Sequence, residues 1–431
     1  MSTAGHSETT APPGLDITPF RGLRYDPDRV GSLAAVTSPP YDVVVRPDGV
    51  HHLQSADPHN IVRLILPQAA TPDERNDRAA RTLRHWRAEG ILRTDPDPGL
   101  YVYEQGDGDG LVQRGIIGTL RLPDPADGVV LPHEDVMPHV VADRAALMRA
   151  THANLEPLLL TYRGDDGPAD ATGALVERTA AGPPLLATTT EDGHHHRLWS
   201  LTDPAEVAAV RSDLARRQAL IADGHHRWAT YRRLRAEHSS PGPWDYGLVL
   251  LVDTARYPLR VRAIHRLLPG LPLPDALAAL HGLFRVRRVD ADLTDALEAL
   301  AKATQDGNAF LLAGDGTFHL IDRPDPDLLA RTVPADRPAA WRALDATVLH
   351  TTLLDHVWHV PADSPDRIAY IHDTAATVEK AERDGGTAVL LHPVHEEVVR
   401  DLARQGVTMP RKSTSFGPKP ASGLVLRLLE S

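Results

Sequence analysis

Five consecutive residues, Asp223-Gly224-His225-His226-Arg227, bring together a carboxylate, a bare backbone position, two imidazoles and a guanidinium. The apolar run Ala219–Ala222 before them reads as a short strand, and the pattern after them predicts a helix from about His225 to Glu237. A glycine at such a turn lets an anion approach the backbone, and the N–H groups that open a helix attract phosphate. Arg227 stands within the first turn, where it can clamp phosphate oxygens in a fork. Asp223 is the candidate Mg²⁺ ligand and His226 a candidate proton carrier. The plainer reading is a capped helix whose Arg232, Arg233 and Arg235 form a solvated basic face.

Other polar groups cluster near expected element ends. His133-Glu134-Asp135, then Asp143-Arg144 and Asn154, offer a second base in Glu134 and substrate contacts in His133, Arg144 and Asn154. Ordinary salt bridges are the alternative for the charged ones. His265-Arg266 ends an apolar run, and Met409–Lys419 holds Lys412, Ser413 and Thr414, a composition that suits an anion-binding loop or a surface turn. Familiar signatures fail. The chain has no G-x-x-x-x-G-K-[ST] loop, and Gly106–Gly110 reads as a hairpin turn because its carboxylates would repel phosphate. His194-His195-His196 lies on an expected strand, where neighbouring side chains face opposite ways.

The elements that must hold these residues alternate along the chain. Thr71-Pro72-Asp73-Glu74 spells a capping box with proline at the first helical position, and Ala79, Leu83 and Trp86 share the inward face of its helix. Strands are expected over Leu100–Glu104, Gly115–Leu122, Pro157–Tyr162 and Gly247–Asp253, with a helix over Asp143–Ala153. Residues 1–14 read as a disordered tail, 15–268 as a first domain and 275–431 as a C-terminal α/β domain, with Pro269–Pro274 as linker.

The 431 residues contain no cysteine, which excludes disulfides, thiolate metal sites and cysteine nucleophiles. Fifty-eight acidic against 46 Lys and Arg residues leave a net charge of −12, which argues against nucleic acid as partner. No segment is apolar enough to span a membrane and no signal peptide is evident, so a cytoplasmic protein is expected; homo-oligomerisation stays open.

In order, Phe20-Arg21-Gly22-Leu23-Arg24, Ser38-Pro39-Pro40-Tyr41-Asp42-Val43-Val44, Trp86-Arg87-Ala88-Glu89-Gly90, His133-Glu134, Asp223–Arg227, His265-Arg266 and Met409–Thr414 resemble a large bacterial and archaeal family of uncharacterised proteins marked by a D-G-H-H-R motif. More distantly, the Pro-Pro-Tyr entry and the D-G-H-H-R turn are similar to the ParB/sulfiredoxin superfamily, which includes free-serine kinases. The resemblance implies a mixed α/β, ParB/sulfiredoxin-like nucleotide-binding core. It also implies ATP and Mg²⁺ as cofactors, and phosphate or nucleotide contacts from Gly224, His225, Arg227, His265, Arg266, Lys412, Ser413 and Thr414. Val136 and Val141 stand where many relatives carry a hydroxyl and a lysine, which weakens any carry-over around Glu134. The resulting expectation is an ATP-dependent phosphotransferase acting on a small hydroxyl substrate such as serine. A phosphohydrolase or a non-catalytic nucleotide-responsive module is the alternative.

Overall fold

A computed structural model describes residues 14–44, 48–108, 110–165, 170–361 and 366–430. The expected tail lies outside them except for Gly14, which packs so closely on the Ala215 carbonyl that no side chain fits there. The chain is mixed α/β and divides into two compact units. One comprises residues up to Pro132, Val136–Leu259 and the segment from Pro418 onward; the other comprises His133–Asp135 and Arg260–Gly417.

The first unit is built on a nine-stranded mixed sheet. Its centre is the parallel pair Leu158–Tyr162 and Tyr246–Asp253, with Ala219–Asp223 antiparallel to the former and Gly110–Arg121 antiparallel to the latter. Leu158–Tyr162 and Ala219–Asp223 are buried at every position, as uninterrupted apolar runs covered on both faces should be. The hairpin expected across Gly106–Gly110 forms between Leu100–Asp107 and Gly110–Arg121. Helix Pro72–Ala88 carries the full capping box, and Ala79, Leu83 and Trp86 are buried.

The second unit is a six-stranded antiparallel sheet, in the order Arg285–Val289, Thr317–Asp322, Ala309–Gly314, Thr387–Leu390, His265–Leu268, Ala369–Ile371. Period-two alternation gives it two apolar faces. Leu267, Leu311 and Leu390 lie in one cluster, and Leu268, Phe310 and Val389 in the other.

Two expectations need correction. The units part at Leu259/Arg260 instead of at Pro269–Pro274, because His265–Leu268 pairs within the second sheet and the prolines only turn the chain into helix Leu273–Ala278. The segment from Pro418 onward belongs with the first unit and not with the C-terminal domain. The helix expected over Asp143–Ala153 spans Pro138–Thr151: Pro138 occupies the first helical position, where its missing N–H has no partner to lose.

Candidate functional site

Strand Ala219–Asp223 delivers Asp223 to its end, Gly224 turns with φ +97°, and helix His225–Ala236 begins at once. Glycine is required twice over at this turn. The φ is left-handed, and a Cβ there would sit 2.5 Å from Leu158 Cδ2 and 3.2 Å from the Arg227 guanidinium. Arg227 therefore lies over the bare Cα. It donates from Nη1 to the Pro157 carbonyl at 2.9 Å and from Nη2 to Asp223 Oδ2 at 2.7 Å, while its buried Nε–H has no acceptor among the described residues. The free-standing clamp expected from the sequence is thus partly committed: one N–H of each Nη braces the turn, and Nε is the nitrogen left without a bond among the described residues.

Around this turn the first unit assembles groups from distant segments. Lys419 Nζ contacts Asp223 Oδ1 at 2.6 Å and also donates to Asp42. Glu156 accepts from the Tyr41 backbone N–H at 3.0 Å and from Ser422 Oγ at 2.8 Å. The Tyr41 ring lies under both Arg144, at 4.6 Å, and Arg227, at 5.7 Å. Burial raises the Asp223 carboxyl, but Lys419 and Arg227 outweigh it and hold it below the usual carboxylate range. Burial lowers Lys419, yet Asp223 and Asp42 leave it more basic than an ordinary lysine. Burial likewise pushes Tyr41 up to about 12. His225 is driven down to about 3 by burial and by the nearby His226 and Lys419, so it is neutral at pH 7.

The remaining expected residues of this unit are placed differently. His226 Nε2 accepts the Met137 N–H at 3.1 Å, which occupies the nitrogen a base would use. Arg144 joins the cluster through Tyr41 and is held by Asp143 and the Ile65 carbonyl. Asn154 is buried and accepts from Arg427 Nη1 at 3.0 Å; it braces the strand Arg427–Leu428 instead of lining the Asp223 cluster. Asp223 is a poor resident Mg²⁺ site, since each of its oxygens already holds a cation. Among the described residues no group of three or more His, Asp or Glu side chains is placed to hold a metal ion. His196 of the histidine run is instead buried against Tyr103, 2.9 Å from its hydroxyl.

In the second unit the Met409–Thr414 loop gathers several expected residues. His133 Nε2 lies 3.2 Å from Thr414 Oγ1, Glu134 Oε1 accepts the Lys412 backbone N–H at 3.3 Å, and Ser413 Oγ donates to the Pro410 carbonyl. His265 and Arg266 do not act as a pair. Consecutive strand residues face opposite ways, so His265 meets Thr374 Oγ1 at 2.8 Å while Arg266 turns toward His350 and Tyr370.

Sequence reasoning missed the charged partners Asp42, Glu156 and Lys419. Asp42 lay in the quoted Pro-Pro-Tyr-Asp motif and Lys419 in the quoted loop, but nothing local links residues 377 positions apart.

Residues 17–347 match the family described as a protein of unknown function, DUF1015, and the chain belongs to that family. No curated protein matches it. Among solved structures it is similar to a free serine kinase in complex with AMP, at 16% identity over 69% of this chain and 89% of that one, with a TM-score of 0.35. A conserved hypothetical protein from Pyrococcus furiosus shows 15% identity over 70% and 92% of the two chains, and SbnI from Staphylococcus aureus, truncated at its C-terminus, 10% over 70% and 84%, both at a TM-score of 0.35. Likeness of that degree leaves the functional reading to rest on the residues themselves. No helix among the described residues is long and apolar enough to cross a membrane.

Proposed function

We propose that this protein is an ATP-dependent phosphotransferase acting on a small hydroxyl substrate, a hydroxy-amino acid such as serine, with a ParB/sulfiredoxin-like nucleotide-binding core in its first unit. The observation that carries this reading is the Gly224 turn, where a left-handed glycine opens helix His225–Ala236 beneath a buried guanidinium with an N–H to give. A phosphate seated there meets the positive end of the helix dipole and the Arg227 Nε–H, with the Lys419 ammonium beside Asp223. Phosphoryl transfer asks mainly for positioning and charge neutralisation, which these groups supply. Asp223 acts as a positioning residue that stays ionised and fixes both cations; the Mg²⁺ arrives with the nucleotide. The substrate hydroxyl attacks the γ-phosphorus, its proton passes to a base, and ADP leaves. His226 serves as base in the first unit only by giving up the Met137 N–H that its Nε2 accepts, and Glu134, beside the Lys412–Thr414 loop, is the base candidate of the second. The substrate is a small molecule, and the −12 charge disfavours nucleic acid.

The test is ³¹P NMR of the full chain with ATP, Mg²⁺ and a panel of hydroxy-amino acids. The expected result is a new phosphomonoester signal that appears with ADP only when the acceptor is present. Release of inorganic phosphate alone would make it a phosphohydrolase. Tight nucleotide binding without any product would make it a binding module.

A further inference from the structure

Among the described residues Arg266 is the largest fully buried side chain, with no accessible surface. Within the second unit its Nη1 donates to the Ile264 carbonyl, its Nη2 lies 2.9 Å from His350 Nε2 and 3.5 Å from the Arg411 carbonyl, and its Nε has no acceptor among the described residues. The guanidinium stacks on Tyr370 at 4.7 Å. Among the described residues no carboxylate pairs with it, and burial lowers even its pKa to about 10. His350, pushed to about 3 by burial and by Arg266 itself, is a neutral acceptor and no counter-ion.

A buried ion without a partner is among the most costly arrangements a fold can keep. Arg427, in the first unit, shows what a structural buried arginine looks like here. Among the described residues it too lacks a carboxylate, but it reaches three oxygen acceptors, Asn154 Oδ1 at 3.0 Å and the Tyr246 and Pro243 carbonyls at 2.7 Å each. Arg266 has one good backbone acceptor, one imidazole and one marginal contact.

We propose that Arg266 is the anchor of a carboxylate-binding site in the second unit. The vacant Nε–H and the Nη2 hydrogen held only loosely by Arg411 form the guanidinium edge that donates to two carboxylate oxygens in parallel. A carboxylate is favoured over phosphate by charge. One cation in a neutral surround of His350, Tyr370 and backbone is balanced by a monoanion, whereas a phosphate dianion would leave a net negative charge buried. Entry displaces the Arg411 carbonyl, the weakest of the three Nη contacts, in a loop whose Arg411 and Lys412 are exposed. The site does not depend on phosphotransfer, although the carboxylate of an amino-acid substrate would satisfy it.

The experiment is thermal unfolding of the full chain with L-serine, glycolate, ethanolamine and inorganic phosphate, for wild type, Arg266→Met and Arg266→Lys. L-Serine and glycolate are expected to raise the wild-type Tm saturably where ethanolamine and phosphate do not. Arg266→Met, which removes an unpaired charge at similar volume, should unfold at a higher temperature than ligand-free wild type and show no response to either carboxylate. Arg266→Lys keeps the charge without the planar fork and should need at least about tenfold more carboxylate for the same shift. A wild type indifferent to carboxylates, a response that survives in Arg266→Met, a saturable phosphate response in their place, or an Arg266→Met protein less stable than wild type would each overturn the proposal. Carboxylate binding without phosphoserine formation would retain this site and remove the phosphotransferase reading; phosphoserine formation with an unchanged KM for serine in Arg266→Met would do the reverse.

Discussion

Arg227 and Arg233 stand on the same helix with opposite surroundings, and this makes them a matched pair. Arg227 is buried beside Asp223 and Glu156, so Arg227→Ala leaves buried carboxylates without their guanidinium and should cost roughly 3–5 kcal/mol of stability in urea unfolding. Arg233 is exposed with a long contact to Glu237, and Arg233→Ala should stay within about 0.5 kcal/mol. Equal effects would remove the special standing of the turn. Gly224 and Gly128 form a second pair, since both have left-handed φ but only Gly224 has neighbours where a Cβ would go. Gly128→Ala should cost about 1–2 kcal/mol through φ alone. Gly224→Ala should lose roughly 1–3 kcal/mol more through the clash with Leu158, read from the same unfolding curves. At this scale the D-G-H-H-R turn was legible because its chemistry is consecutive. Its counter-ions were not, because Asp42, Glu156 and Lys419 meet it only through the folded sheet and carry no local signal of doing so.

Helices with strong ends were readable from their letters alone. Thr71 and Glu74 exchange hydrogen bonds with each other's backbone N–H, at 3.2 Å each, and the helix they open buries the residues its period selects. Thr71→Ala should therefore cost about 1 kcal/mol and speed amide exchange in the first turn of Pro72–Ala88 without affecting the rest of the unit. What resisted reading were features set by packing. The π-helix Leu349–Val357, which brings His350 to Arg266, has a composition like that of any amphipathic segment. Strand order is equally silent in the sequence: Leu158–Tyr162 and Tyr246–Asp253 are neighbours in parallel although Tyr162 and Tyr246 are 84 positions apart. The pairing is fixed by which apolar runs can be covered on both faces, a property of the whole sheet.

For the whole molecule, four histidines held well below the usual imidazole range shape the response to acid. His196 and His265 titrate near 4, and His225 and His350 near 3, in each case chiefly because burial disfavours the imidazolium. Unfolded histidines titrate near about 6.5, so the unfolded chain takes up protons first as pH falls. The stability these groups contribute is present above pH 6.5 and is lost as pH drops toward 4. Each gives a slope of up to about 1.4 kcal/mol per pH unit. Calorimetry from pH 7 to pH 4.5 should show transitions in both units moving down steeply, and His196→Gln should flatten the first unit's dependence by one proton.

The interleaving of the two units also dictates a calendar for the growing polypeptide. Arg260–Gly417 leaves the ribosome before the segment from Pro418 that completes the first unit. At roughly 5–20 residues per second, those 158 residues take on the order of 8–30 s to make. Throughout that interval Asp223 waits for Lys419, and Asn154 for Arg427. The unit begun first is finished last, and a nascent chain halted near residue 417 would carry a closed second unit beside a first whose Asp223 still lacks its ammonium partner.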